Sequence, residues 1–133
     1  MSSTGQFAAS YSANPLNQYT AVGTANPLYD ADGNLSSDGT RTYSWNNENR
    51  LSTASDGSVM QVFSYDYRGR LVKRTDGTTT EVYAYDGWNR IATFTEQSGT
   101  LQVEETYLWG LDLSGSLQGA GGVGGLLKEG DLY

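Results

Sequence analysis

The chain has 133 residues, enough for one ordinary domain and too few for two. Its apolar content is 37%, with 10 Tyr and 17 Gly but only 3 Phe and 2 Met, a recipe for sheets tiled with aromatics and cornered by glycines rather than for a thick core. A formal charge of −7 argues against phosphate-backbone binding and anionic membrane surfaces, and no apolar run approaches the roughly 18 residues of a spanning helix.

In chain order, residues 1–18 read as a Ser/Ala/Asn-rich arm containing Pro15. The arm lacks the basic and apolar regions of a secretory signal. The expectation is a piece of a longer exported chain restarted at Met1, in preference to a cytosolic protein.

Residues 19–109 read as a repeat module. The segments Tyr29-Asp30-Ala-Asp-Gly-Asn34-Leu35, Trp45-Asn46-Asn-Glu-Asn-Arg50-Leu51, Tyr65-Asp66-Tyr-Arg-Gly-Arg70-Leu71 and Tyr85-Asp86-Gly-Trp-Asn-Arg90-Ile91 start 16, 20 and 20 residues apart. A period near twenty marks a stacked architecture in which each unit covers its neighbour. Between them alternate the turn signals Asp38-Gly39, Asp56-Gly57, Asp76-Gly77 and Ser98-Gly99, which suit hairpins because both residues tolerate positive φ.

The intervals hold strand-length runs rich in β-branched and aromatic residues, among them 59–65, 78–85 and 101–109. Alternation puts Phe63 with Tyr65, Tyr83 with Tyr85, and Tyr107 with Trp109 on common faces. The predicted fold is all-β, an antiparallel meander of repeat hairpins forming an open or spiralling ribbon. Residues 110–133 form a glycine-rich closing segment.

Within each repeat, Asp30, Asn46, Asp66 or Asp86 can accept from the following backbone N–H groups. Arg50, Arg70 or Arg90 can return to that side chain from four positions on, with Asn34 in that place in the first repeat. Leu35, Leu51, Leu71 and Ile91 then open the next strand and are expected to pack beneath the rings of Tyr29, Trp45, Tyr65 and Tyr85. Ring packing outweighs exposed ion pairs, about 0.5–1.5 against roughly 0–1 kcal/mol.

These segments resemble the Tyr-Asp (Rhs) repeat family, whose unit Tyr-Asp-x-x-Gly/Asn-Arg-Leu is matched at 65–71 and, with Ile for Leu, at 85–91. Asn17-Gln-Tyr19 and the stretch from Tyr107 to Leu127 resemble the flanks of terminal repeats, so the resemblance covers about residues 17–127. It implies a β ribbon spiralling into a shell, in bacterial cell-surface or secreted proteins that include toxin-enclosing ones, with some relatives binding carbohydrate or acting in adhesion. Four repeats are too few for a shell, and the family's aspartate-rich cleavage segment and toxin domain are not in this sequence.

Catalysis finds little material, because the chain has no His and no Cys. Gly119-Ala-Gly-Gly-Val-Gly124 matches a dinucleotide fingerprint by letter only, since neither the helix nor the distal acid can follow in nine residues. Asp30-Ala-Asp32-Gly33-Asn34 departs from a calcium loop, having glycine fourth and Arg41 twelfth. No cofactor or metal is expected.

The expected role is non-catalytic and structural: self-assembly with further copies by strand pairing into an extracellular or cell-surface filament, ring or shell. Carbohydrate binding through the turn aromatics Tyr67 and Trp88 is the alternative, and a fragment of a toxin-enclosing shell a third reading.

Overall fold

The computed structural model describes residues 10–111, 114–117, 119, 122 and 124–130. They form an all-β, antiparallel meander as the turn spacing predicts, and no helix occurs among the described residues. The chain divides into two compact units, Met1–Ser58 and Val59–Tyr133.

The first unit contains β1 (Tyr11–Ala13), β2 (Tyr19–Val22), β3 (Leu28–Tyr29), β4 (Leu35–Ser37), β5 (Thr42–Trp45) and β6 (Leu51–Ser55). β1 and β2 make a hairpin, and β3 to β6 pair each with the next. The second contains β7 (Met60–Tyr65), β8 (Leu71–Asp76), β9 (Thr79–Asp86), β10 (Asn89–Gln97), β11 (Thr100–Trp109) and β12 (Leu126–Gly130), again paired in sequence order.

The described parts of the arm and of the glycine-rich segment are more regular than their composition implied. The arm contributes β1 and a tight turn; the glycine segment returns as β12, pairing Tyr107 with Glu129 and Trp109 with Leu126. Gly110 N–H donates to the Gly125 carbonyl at 2.7 Å, closing the connection. The fingerprint-like run 119–124 lies partly outside the described residues.

A recurrent bulge sets the register. Tyr29 stands opposite Leu35, Trp45 opposite Leu51 and Tyr65 opposite Leu71, and in each case the residue after the leucine is skipped. The extra residue adds local twist at the place where the ring must lie over its leucine. These six side chains are all half-buried.

The last repeat breaks this rule, and Ile91 is corrected by it. Tyr85 pairs with Arg90, while Ile91 is the skipped residue and is 41% exposed. The cause is the turn: Gly87 at φ 57° lets Asp86 and Asn89 close a two-residue hairpin, so the register slides by one.

The second unit's sheet has two unlike faces. One carries Phe63, Tyr65, Arg74, Glu81, Tyr83, Tyr85, Thr93, Thr95 and Tyr107; the other carries Met60, Val62, Val82, Phe94, Leu101 and Val103. Of the described residues, the buried ones of the two central strands are Tyr83, Asn89, Ala92, Thr93 and Thr95. Three of these five, Tyr83, Thr93 and Thr95, lie on the tyrosine face, so the best-shielded part of the sheet is polar and aromatic.

Candidate functional site

The repeated turns are the feature the sequence singles out, and their geometry is shared in detail. In the turns at 30–34, 46–50 and 66–70, the first side chain accepts two backbone N–H bonds. Asp30 Oδ1 takes those of Asp32 and Asn34 at 3.0 and 2.8 Å. Asn46 Oδ1 takes those of Glu48 and Arg50 at 3.0 and 2.9 Å. Asp66 Oδ1 takes those of Arg68 and Arg70 at 2.9 and 3.0 Å.

The fourth residue is left-handed in every case: Gly33 at φ 87°, Asn49 at 56° and Gly69 at 81°. That conformation explains the Gly/Asn alternation, since those two residues reach it most cheaply. The backbone closes each turn with two bonds, for instance Asp66 N–H to the Arg70 carbonyl at 3.0 Å and Gly69 N–H to the Asp66 carbonyl at 2.9 Å. This is a three-residue hairpin loop with a bulge at its left-handed residue.

A fourth such turn was missed. Asn14 Oδ1 accepts from Leu16 and Gln18 N–H, both at 3.0 Å, and Asn17 is left-handed at φ 63°. Spacing was the available signal, because Asn14 precedes Asp30 by the same 16 residues that separate Asp30 from Asn46. Its ring position is Ala13, so the aromatic that flags the other repeats is lacking.

The fifth residue of a turn serves two neighbours. Arg70 Nε meets Asp66 Oδ2 at 2.7 Å, with both side chains mostly shielded, and another guanidinium nitrogen donates to the Gly87 carbonyl of the following turn. Asn34 Nδ2 bonds Asp30 Oδ2 at 3.2 Å and Asn49 Oδ1 of the next turn at 2.9 Å. Gln18 Nε2 likewise reaches the Gly33 carbonyl at 3.3 Å. Arg50 pairs with Glu48, and Arg90 lies 4.0 Å over the Tyr83 ring and 6.0 Å from that of Tyr85.

Ring tips form a second ladder. Trp45 Nε1 donates to the Leu35 carbonyl at 2.8 Å, Tyr85 Oη to that of Leu71 at 2.7 Å, and Tyr29 Oη to that of Tyr19 at 3.1 Å. Trp109 Nε1 continues it to the Arg90 carbonyl at 2.5 Å. Each ring covers its neighbour with carbon and satisfies a backbone acceptor with its polar end.

Other tyrosines pair with carboxylates: Tyr43 Oη to Asp38 at 2.6 Å, Tyr83 Oη to Glu81 at 2.6 Å and Tyr107 Oη to Glu105 at 2.7 Å. The Tyr43 hydroxyl, with the Arg41 and Thr40 N–H groups, holds the Asp38 carboxyl at about 2. Burial and the Glu81 carboxylate push Tyr83 up to about 12. At Asp66, burial raises the carboxyl, but the Arg70 and Arg68 donors outweigh it and leave it below its ordinary value.

Asn89 matches the Gly/Asn letter of the repeat yet does different work. It opens β10 at 5% exposure, and its Nδ2 donates to the Leu117 carbonyl at 3.3 Å. A Cβ at Gly122 would lie 2.6 Å from Asn89 Oδ1 and 3.3 Å from the Trp109 ring. Glycine is what lets this segment pack there.

Tyr67 is 88% exposed and Trp88 56%, each projecting from a turn. Arg68 Nε donates to Tyr67 Oη at 3.0 Å. Among the described residues, no group of three or more His, Cys, Asp or Glu side chains is arranged to hold a metal ion. Neither a family model nor a curated protein matches the chain.

Proposed function

We propose that this chain is a non-catalytic structural module of the Tyr-Asp repeat class that pairs its terminal strands with further copies in an extracellular or cell-surface assembly. The observation that carries this reading is the doubled ladder. Turn side chains such as Asn34 bond the following turn, and rings such as Tyr85 bond the preceding one. Side chains elsewhere free to bind substrate are here committed to stacking. β12 ends the strand order of its unit, and a terminal strand offers a row of backbone donors and acceptors to another chain.

Sedimentation velocity over a concentration series tests it. The expected result is a species heavier than 14.4 kDa that dissociates on dilution. A compact monomer at every concentration, unchanged by deleting the arm or the tail, contradicts it.

A second reading rests on Tyr67 and Trp88. Their turns are tied together by the Arg70 bond to Gly87, which fixes two exposed rings on neighbouring turns, a pattern suited to stacking on sugar faces. Tryptophan fluorescence should then respond to polysaccharide and lose that response in Trp88→Ala. No response to any glycan in a broad panel removes this reading.

A further inference from the structure

The apolar face of the second unit's sheet draws on four strands, β7, β9, β10 and β11. The strand register assembles it from residues far apart in sequence. Val82, Phe94 and Val103 stand directly opposite one another across β9, β10 and β11. Leu101 lies beside Glu96 in the next row, and Met60 and Val62 extend the patch on β7. Val62 and Val103 are each 39% exposed, and Met60 and Leu101 more than half. A sheet buries an apolar face against a second layer in ordinary domains, and all six described strands of the second unit lie within the sheet itself.

Charge selects the occupant. The chain carries −7 overall, so copies repel through most of their surfaces. Among the charged side chains described on this face, Lys73 and Glu96 pair with each other, Nζ and Oε2 3.5 Å apart. The opposite face carries Arg74 and Arg90 against Asp76, Glu81, Glu104, Glu105 and Glu129, a surplus of carboxylates. The apolar face therefore shows no surplus of carboxylates among its described side chains, on a molecule that is acidic overall. An apolar, twisted sheet is complementary to itself, as isologous interfaces require.

We infer that two copies stack these faces against each other, with Met60, Val62, Leu101 and Val103 interleaved at the contact. This contact is distinct from strand-edge pairing and can exist with or without it.

Its test separates the two. The chain contains no cysteine, so single variants Val103→Cys and, on the opposite face, Gln102→Cys report burial by their rate of maleimide labelling. Raising protein concentration should slow labelling at position 103 at least tenfold and leave position 102 unchanged. In sedimentation, Val62→Lys/Val103→Lys should halve the mass while retaining the β-sheet circular dichroism. Should that pair unfold, Val62→Thr/Val103→Thr should still weaken association at least tenfold.

Labelling at position 103 that ignores concentration, or a wild-type chain that stays monomeric, overturns the inference. So does an assembly dissolved by proline scanning of β12 but untouched by the face variants; that result would leave edge pairing standing alone. Dissolution by the face variants only would support face stacking and refute edge pairing.

Discussion

Tyr85 stands opposite Arg90, whereas Tyr65, one repeat earlier, stands opposite Leu71. One residue fewer in the turn moves an arginine into the leucine place and turns Ile91 outward. The guanidinium then lies over Tyr83 and Tyr85, so a cation replaces an aliphatic side chain against the rings.

The two equivalent letters therefore differ in consequence. Leu71→Ala should cost about 2 kcal/mol, as expected for a half-buried leucine, and Ile91→Thr should stay within about 0.5 kcal/mol of wild type. Urea denaturation of both variants checks this; equal losses would mean that Ile91 packs like Leu71.

Arg90→Gln keeps length and polarity but removes the charge over two tyrosine rings. A loss of about 1 kcal/mol is expected, together with a changed tyrosine near-ultraviolet signal. An unchanged spectrum and stability would place the guanidinium in water.

Left-handed turn positions should discriminate by residue type. Gly69→Ala, at φ 81°, should destabilise by about 1 kcal/mol. Asn49→Gly should change stability by only a few tenths, because glycine adopts the same conformation freely. Thermal melts that show the two variants alike would contradict the turn assignment.

Stability should fall at both ends of the pH scale. Asp38 is held at about 2 against an ordinary 3.8, so its contribution is whole above 3.8 and is lost as pH falls toward 2. Tyr83 is raised to about 12 from 10.0, so its contribution is whole below pH 10 and is lost as pH rises toward 12. Asp38→Asn should flatten the acid limb and Tyr83→Phe the alkaline limb in melts across pH.

Strand and turn alternation was legible in the sequence because both rest on local chemistry: β-branched runs for strands, Asp-Gly and Tyr-Asp pairs for corners. The pairing of Tyr65 with Leu71 was legible for the same reason, since only a turn separates them. What escaped depends on register. The letters Tyr-Asp-x-x-Asn-Arg-Ile at 85–91 cannot disclose that Gly87 closes a shorter turn. The stack of Arg90 and the burial of Asn89 follow from that slip. The first turn escaped because Ala13 replaces its ring. β12 was hidden by glycine composition, which conceals a strand whose partner, β11, lies across the whole glycine connection.

Repeated rings lie over neighbouring repeats, while the turn residue Tyr67 faces water. Comparing thermal melts of Tyr65→Ala and Tyr67→Ala tests it most directly. The half-buried Tyr65 should cost about 2 kcal/mol, and Tyr67, 88% exposed, should be nearly neutral. Equal losses at the two positions would contradict the account.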